Sequence, residues 1–253
     1  MSILDSFRLD DKVVIVTGSS SGLGVSFAHA CAEAGATLVL AARRTDRLED
    51  CAASIRALGR DVLTVATDVS SPEDCQALVD ATMARFGKVD VLVNNAGIGT
   101  AVPAVRETPD EFNAVIDINL GGTYWMAQAC ARAMLPGSVI INISSIIGLT
   151  TAGLPQAAYS ASKAAVIGLT RDLAQQWGTR RGIRVNAIAP GFFESEMTDQ
   201  YDPDYMPSQL SRMVLDRLGD PDELAATLVW LASPAAGFVV GQTIAVDGGF
   251  TIA

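Results

Sequence analysis

The stretch Lys12–Gly24, KVVIVTGSSSGLG, indicates the fold of this 253-residue chain. Its first part, KVVIVTG (12–18), is a β-branched apolar run that is typical of a strand buried on both faces. The glycines of TGSSSGLG (17–24) allow a tight turn and let backbone N–H groups approach a pyrophosphate. An Ala-rich segment of helical length follows. A strand, a glycine-rich turn and a helix in this order favour a dinucleotide site over a turn whose glycines serve packing alone.

Short apolar runs alternate with helix-length segments along the rest of the chain. The strand candidates are KVVIVTG (12–18), TLVLA (37–41), DVLTVAT (61–67), VDVLVNN (89–95), SVIINIS (138–144), IRVNAIA (183–189) and QTIAVD (242–247). The helix candidates are 22–34, 44–58, 71–86, 108–135, 155–180 and 220–232. This alternation predicts an α/β fold, a single doubly wound domain over residues 1–253 with helices flanking a parallel sheet.

The segment 191–216, GFFESEMTDQYDPDYMPSQLSRMVLD, is longer than an ordinary connection and follows a predicted strand. Ligands of doubly wound folds bind beyond the carboxyl ends of the strands, so we expect a substrate loop or lid here. Its large apolar side chains either face the cleft or pack on the protein's own core. They are Phe192, Phe193, Met197, Tyr201, Tyr205 and Met206.

The composition excludes several classes of protein. With 49% hydrophobic and 18% charged residues the chain is neither disordered nor a long coiled coil. Eighteen basic against 28 acidic residues give a net charge of −10, which disfavours nucleic-acid partners and anionic membranes. One histidine, His29, precludes a histidine-rich metal centre, and no metal site is predicted. Four cysteines without a CxxC motif, and the lack of a signal peptide or membrane-length apolar run, predict a cytoplasmic protein with reduced thiols.

The segment after the second predicted strand bears on the cofactor. An acidic residue there would bind a ribose 2′-hydroxyl and indicate NAD, but Ala42 occupies that position. Arg43 and Arg44 follow, and their forked donors suit a 2′-phosphate. NADP(H) is therefore the preferred cofactor and NAD(H) the alternative. The competing interpretation is that both arginines only solvate the start of the next helix.

Four polar residues are candidates for catalysis. Tyr159 and Lys163 lie four apart in a predicted helix, so both side chains rise on one face. An ammonium group beside a phenol lowers the phenol pKa and prepares it for proton transfer to a carbonyl oxygen. Ser145 ends the fifth predicted strand, where its hydroxyl would hold the same oxygen. Asn119 has two interpretations. It supports a water molecule and the lysine, or it lies at a helix kink or forms a buried amide that bonds to the backbone.

Taken in order, these residues resemble the short-chain dehydrogenase/reductase family along essentially the whole chain. The matching motifs are TGSSSGLG (17–24), Asp68-Val69, NNAG (94–97), Asn119, NISS (142–145), YSASK (159–163), NAIAPG (186–191) and GQTIAVDGG (241–249). The resemblance implies a Rossmann-type domain with a seven-stranded parallel sheet and hydride transfer with a nicotinamide cofactor. It also implies catalysis without a metal and a homotetramer that pairs the long helices.

The resemblance also implies a role for each matching residue. Tyr159 is the acid/base, Lys163 lowers its pKa and binds the nicotinamide ribose, Ser145 orients the carbonyl, and Asn119 completes the proton relay. The turn Gly18, Ser20, Ser21, Gly22, Leu23 and Gly24 holds the phosphates. Asp68 and Val69 border the adenine, Asn95, Ala96 and Gly97 its ribose, and Ile188, Pro190 and Gly191 the nicotinamide.

The chain departs from the family pattern at two places. The gap from Ser145 to Tyr159 is one residue longer than the commonest spacing, and aligning on Ser145–Gly148 puts the extra residue at 149–156. Ser144 is a weaker candidate for the same role. Many NADP-using relatives carry a basic residue where this chain has Ser21, so the 2′-phosphate would depend mainly on Arg43 and then on Arg44.

The apolar character of the 191–216 segment favours a small apolar or aromatic ketone or aldehyde as substrate. A β-ketoacyl group on a carrier protein ranks second, docked through a local patch of Arg180, Arg181 and Arg184 against the overall charge. Polyol or sugar oxidation ranks third. A non-catalytic dinucleotide sensor is disfavoured, because a binding module has no use for the four candidate catalytic residues.

Overall fold

The computed structural model of the chain describes residues 2–194 and 204–253. Its strands are β1 (Val13–Thr17), β2 (Thr37–Ala42), β3 (Val62–Ala66), β4 (Val91–Asn94), β5 (Val139–Ile143), β6 (Arg184–Pro190) and β7 (Thr243–Val246). Its α-helices are α1 (Leu23–Glu33), α2 (Thr45–Ala57), α3 (Pro72–Phe86), α4 (Pro109–Ile116), α5 (Gly122–Ala133), α6 (Ala157–Arg181), α7 (Tyr205–Leu210) and α8 (Pro221–Ala232). Short 3₁₀ turns cover Ile3–Phe7, Ile146–Gly148 and Pro234–Ala236.

The seven strands form one parallel sheet in the order β3-β2-β1-β4-β5-β6-β7. This confirms the predicted α/β fold with a doubly wound parallel sheet. The strand order reverses between β1 and β4, where a crevice opens beyond their carboxyl ends. The glycine-rich turn after β1 therefore lies beside the segment that follows β4.

Both faces of the sheet are covered, because neighbouring residues of a strand point to opposite sides. Val14 and Val16 of β1 pack in a cluster with Phe27 of α1. Val13 and Ile15 of the same strand belong to a second cluster on the opposite face. The α1, α2 and α8 helices contribute to the first cluster, and α3, α5 and α6 to the second. The unbroken apolar runs of the sequence reflect this two-sided burial.

The prediction of a single helix over 108–135 is wrong in one respect. The chain forms α4, then a π-helical turn over Asp117–Gly121, and then α5. A wider turn inserts an extra residue into the helix and is common at functional sites. Gly122 follows the turn, and a Cβ on it would lie 2.6 Å from a methyl carbon of Val69. Close approach between the start of α5 and the segment after β3 therefore needs glycine at this position.

The end of the predicted substrate loop contains the short helix α7. Phe192, Met213 and Phe250 form a small buried cluster, against which Tyr205 and Met206 pack. Phe193 belongs instead to the main core beside α1 and α8. The expectation that these side chains pack on the protein itself is thus met in part. Met197 and Tyr201 lie outside the described residues.

No helix in the two described ranges has the length and apolar character that crossing a bilayer requires. The four cysteines are unbridged and buried, and each lies on a helix that faces the sheet. Burial raises the pKa of the Cys31 thiol to about 12, so this group stays protonated at neutral pH.

Candidate active site

A cleft of about 530 Å³ crosses the carboxyl ends of the strands, a size typical of small-molecule sites. Its lining comes from the turns after β1, β2, β3, β4, β5 and β6, together with α6 and Tyr205. Eighteen predicted site residues line it: Gly18, Ser20, Ser21, Gly22, Leu23, Gly24, Arg43, Arg44, Asp68, Val69, Asn95, Ala96, Gly97, Ser145, Tyr159, Lys163, Pro190 and Gly191. Their assigned roles stay predictions.

The glycine-rich turn is packed too tightly for side chains. A Cβ on Gly24 would lie 2.3 Å from the carbonyl oxygen of Gly18. Gly18 itself has φ +67°, and a Cβ there would lie 2.8 Å from Cα of Ala96. These glycines bring the start of α1 against the ends of β1 and β4.

Hydrogen bonds fix the segment after β4 to this turn. The Thr17 hydroxyl accepts from the backbone N–H groups of Asn95 and Ala96, both at 3.1 Å. The Asn95 amide donates to the carbonyl oxygens of Thr17 at 3.0 Å and Gly18 at 3.2 Å. The two sides of the crevice therefore form one rigid support.

Charged side chains lie at the end of the cleft near β2 and β3. Hydrogen bonds from Ser70 and the nearby Arg43 cation hold the pKa of the Asp68 carboxyl below its usual value. The Arg44 guanidinium donates to the hydroxyls of Ser20 at 3.2 Å and Ser21 at 2.7 Å. Arg43 and Arg44 are both exposed, and both line the cleft.

Tyr159 and Lys163 meet at the other end of the cleft, as their spacing predicts. The Lys163 ammonium nitrogen lies 5.7 Å from the centroid of the Tyr159 ring and donates to the Ile143 carbonyl oxygen at 2.8 Å. Lys163 is only 5% exposed. This burial lowers its pKa to about 8, because the charged form loses its hydration.

Ser145 lies at the start of the 3₁₀ turn that follows β5. It is buried, lines the cleft, and its Oγ accepts from the backbone N–H of Ile147 at 3.2 Å. Ser144 also borders the cleft, but its hydroxyl donates to the Lys163 carbonyl at 2.8 Å. This bond ties β5 to α6 and makes Ser144 the weaker candidate for contact with a substrate.

Asn119 lies in the π-helical turn and does not line the cleft. Its amide oxygen accepts from the Ile98 N–H at 2.8 Å, and its amide nitrogen donates to the Ile98 carbonyl at 2.9 Å. The same nitrogen donates to the Ser162 hydroxyl at 3.0 Å. The buried amide bonded to the backbone that the competing interpretation predicts is therefore present, and the π-helical turn interrupts the regular helix at this residue. Asn119 holds α6 and the segment after β4 in register.

Ile188 does not line the cleft either. It is fully buried in β6 within the main core, and its carbonyl accepts from the Ser144 N–H at 2.7 Å. Its neighbours Pro190 and Gly191 do reach the cleft. Its predicted place beside the nicotinamide stays a prediction.

Comparison with known proteins agrees with this geometry. A family model described as "Enoyl-(Acyl carrier protein) reductase" matches residues 18–251. A crystal structure of a short-chain type dehydrogenase/reductase from Mycobacterium marinum is 35% identical, with a TM-score of 0.96 and 100% of both chains covered. The chain belongs to the short-chain dehydrogenase/reductase family.

Two curated relatives show the range of activities to which this short-chain dehydrogenase/reductase is similar. The 2-dehydro-3-deoxy-D-gluconate 5-dehydrogenase of Dickeya dadantii is 38% identical, with 98% of each chain covered. The 3-oxoacyl-(acyl-carrier-protein) reductase of Thermotoga maritima is 36% identical, with 97% of this chain and 100% of the relative covered. The chain is thus an oxidoreductase of a family that uses NAD(P)(H).

The cleft of this short-chain dehydrogenase/reductase fits a dinucleotide on structural grounds. Among the described residues, no side chain caps the first turn of α1, and no acidic residue lies in that turn. The N–H groups and the positive end of the helix dipole are therefore available to a pyrophosphate.

Several lining residues were not predicted from the sequence. They are Ala41, Ala42, Thr67, Ile98, Gly99, Ile118, Ile143, Ser144, Ile146, Ile147, Gln156, Phe192, Phe193 and Tyr205. Of these, Ser144 is the weaker candidate for the role of Ser145, and Phe192, Phe193 and Tyr205 are among the side chains expected either to face the cleft or to pack on the core. Most of them lie at or just after the carboxyl ends of strands, and this position is the signal that the sequence offers for them. Gln156 gives no such signal, since it precedes a helix and resembles an ordinary polar residue of a loop.

The turn that carries Ser145 is pressed against α6. A Cβ on Gly148 would lie 2.7 Å from the carbonyl carbon of Lys163, and the Ser160 hydroxyl donates to the Ile147 carbonyl at 2.9 Å. The position of Ser145 therefore depends on glycine at 148.

We expect Gly148→Ala to push this turn away from α6 and lower kcat about tenfold or more, since small misplacements of reacting groups are costly. Steady-state kinetics checks this. Gly178→Ala on α6 is the control because a Cβ there meets no atom within 4 Å, and equal kcat losses in both variants would contradict the expectation.

Proposed function

We propose that this protein is an NADP(H)-dependent oxidoreductase that interconverts a ketone or aldehyde with the corresponding alcohol by hydride transfer. The substrate we favour is a small apolar or aromatic carbonyl compound. The observation that carries the proposal is the placement of Tyr159, Lys163 and Ser145 around one end of the cleft, next to the glycine-rich turn.

The side chains at this end fit proton transfer to a carbonyl oxygen. A bound reduced nicotinamide would supply the hydride. Ser145 holds the carbonyl oxygen through its hydroxyl, and Tyr159 donates its phenolic proton to that oxygen as charge develops there. The buried Lys163 ammonium favours the phenolate that Tyr159 becomes. Asn119 acts from outside the cleft by fixing Ile98 and Ser162.

The NADP(H) preference is supported by the charges at the end of β2. Ala42 offers no carboxylate to a ribose hydroxyl, and Arg43 and Arg44 line the cleft directly after it. A guanidinium group binds a phosphate through paired donors. Arg44 already bonds to Ser20 and Ser21, so we assign the larger contribution to Arg43.

A carrier-bound acyl group is a weaker alternative as substrate. The basic patch that would dock an acidic carrier includes Arg184, whose guanidinium donates to the carbonyls of Leu231 and Ser233, both at 3.1 Å. It is therefore engaged inside the protein. Similarity to the relative from Thermotoga maritima supports this alternative. Similarity to the relative from Dickeya dadantii supports the other alternative, oxidation of a sugar derivative.

We further propose that 1–253 is one domain with 191–216 as its substrate loop, and that the protein is a cytoplasmic homotetramer. The loop assignment is supported by Phe192 and Tyr205, which line the cleft. The Tyr205 hydroxyl donates to the Ala152 carbonyl at 2.9 Å and so joins α7 to the 149–156 segment. The long helices α5 and α6 offer surfaces for assembly.

The experiment that tests the function is an NADPH-oxidation assay with a panel of apolar, aromatic, carrier-bound and sugar-derived carbonyl compounds. Turnover of the apolar ketones supports the proposal. Tight NADPH binding without turnover of any carbonyl or alcohol would favour a dinucleotide sensor instead. Turnover confined to carrier-bound or sugar substrates would replace the favoured substrate by one of the alternatives.

The cofactor preference gives a separate prediction. We expect Arg43→Asp to reduce the ratio of kcat/KM for NADPH to that for NADH by about 100-fold, because a charged hydrogen bond to the 2′-phosphate is replaced by repulsion. Steady-state kinetics with both cofactors measures the ratio. Arg56→Asp makes the same charge change on α2 at a residue outside the cleft lining and should leave the ratio unchanged. An unaltered ratio in the Arg43 variant would refute the assigned role.

A further inference from the structure

Gln156 is a buried polar side chain at the substrate end of the cleft. It is 9% exposed and lines the cavity one helical turn before Tyr159. Within residues 2–194 and 204–253, no hydrogen bond is formed by its side-chain amide. Buried amides are normally paired, because burying one without a partner is destabilising. Its hydrogen bonds are therefore left to solvent or to a molecule bound in the cleft.

Local structure does not account for Gln156. It is the residue that precedes α6, yet its side chain forms no cap with the helix. Only its backbone carbonyl is engaged, accepting from the Ser160 N–H at 2.8 Å. Serine, threonine, asparagine or aspartate would stabilise this helix start better. The amide is thus left directed at the cleft rather than at the helix.

The residues around Gln156 indicate which chemical group of a bound substrate its amide would contact. The Tyr205 hydroxyl and the Ser144 hydroxyl both donate to backbone carbonyls, and Ile147 and Phe192 supply apolar walls. Lys163 is the one cation that lines this end among the described residues, and it is bonded to Ile143. The stretch 185–211 contains no lysine or arginine, and Arg212 of the 191–216 loop lies over the Phe250 ring at 4.7 Å and does not line the cleft. A site that offers an amide but no further cation binds a neutral polar group of a ligand better than a carboxylate.

We propose that Gln156 determines specificity by hydrogen-bonding a neutral oxygen on the carbon next to the reacting carbonyl. The substrate class is then a hydroxyketone or dicarbonyl compound with an apolar remainder and no carboxylate. This inference rests on the proposed function, with Tyr159 as the proton donor. Gln156 lies three residues before Tyr159 and lines the same cleft, so one small substrate can contact both side chains.

Three ketones that share a phenyl group test the inference: acetophenone, 2-hydroxyacetophenone and phenylglyoxylate. We expect the natural chain to prefer 2-hydroxyacetophenone, and Gln156→Leu to lower the ratio of its kcat/KM to that of acetophenone about tenfold. Comparing ratios between variants cancels the intrinsic reactivity of the ketones. Gln156→Glu keeps the acceptor and removes the donors, so it shows which part of the amide is used. Gln176→Leu, an exposed position on the same helix, is the control.

Folding of the variants is checked by thermal melting and NADPH binding. Gln156→Leu should melt close to the natural chain, because its side-chain amide forms no hydrogen bond with the described residues. Gln156→Met provides the same test of the ratio if the leucine variant does not fold.

The outcomes separate the inference from the proposed function. An unchanged ratio in folded Gln156 variants, or a preference of the natural chain for phenylglyoxylate, would overturn the inference alone. Failure to turn over any carbonyl of the wider panel would overturn the proposed function and the inference together.

Discussion

Replacing Tyr159 by phenylalanine is expected to lower kcat for carbonyl reduction by about 10³-fold while NADPH affinity changes by no more than a few-fold. General acid catalysis by a positioned side chain typically contributes about 10²–10⁴-fold. The phenyl ring retains the packing beside Lys163, so the cleft keeps its shape and only the proton donor is lost. Single-turnover kinetics and NADPH fluorescence titration measure the two quantities separately.

A second tyrosine provides the matched control for this substitution. Tyr124 lies on α5 outside the cleft lining, and its hydroxyl accepts from Gln128 at 3.2 Å. Tyr124→Phe removes the same atom from the chain and should leave kcat within about twofold. If Tyr159→Phe retains full turnover, Tyr159 is not the acid and the proton must come from another group of the cleft.

The sheet and the cofactor end of the cleft could be predicted from the sequence for a physical reason. Strands buried on both faces are continuous apolar runs, and all seven appear within about two residues of their predicted bounds. Since the strands are parallel, the residues after their carboxyl ends meet at one edge. Positions such as Gly18, Asp68 and Asn95 are far apart in sequence but lie together for this reason alone.

The parts that could not be predicted depend on contacts between elements. The π-helical turn at Asp117–Gly121 arises where α5 approaches Val69, and no local pattern encodes that approach. The bonds of Asn119 to Ile98 and Ser162 likewise join three separate segments. A sequence shows that Asn119 is polar among apolar neighbours but not which backbone it satisfies.

Lys163 is assigned to catalysis, and burying its charge destabilises the folded protein near neutral pH. Its cation is buried, and the Tyr159 ring is the titratable group that faces it. An ordinary lysine has a pKa near 10.5, whereas burial lowers the pKa of Lys163 to about 8. Between these values the unfolded chain binds a proton that the folded chain has released. The folded state is therefore penalised at neutral pH and recovers stability as the pH rises from about 8 toward 10.5.

Lys163→Met is accordingly expected to lower kcat by about 100-fold or more and to stabilise the cofactor-free protein near pH 7. Methionine fills a similar volume without a charge that must be dehydrated. The stability advantage of the variant should fall by about 2 kcal/mol between about pH 7 and pH 10, because the lysine loses its proton in the folded chain over this window.

Urea unfolding at the two pH values measures this change, and Tyr159→Phe in both proteins removes titration of the phenol from the comparison. Lys88→Met, at an exposed lysine paired with Asp90, is the control. If the stability difference between the Lys163→Met variant and its lysine-containing parent is the same at both pH values, the ammonium is not held at an energetic cost, and the assignment of Lys163 as a buried cation beside the phenol fails.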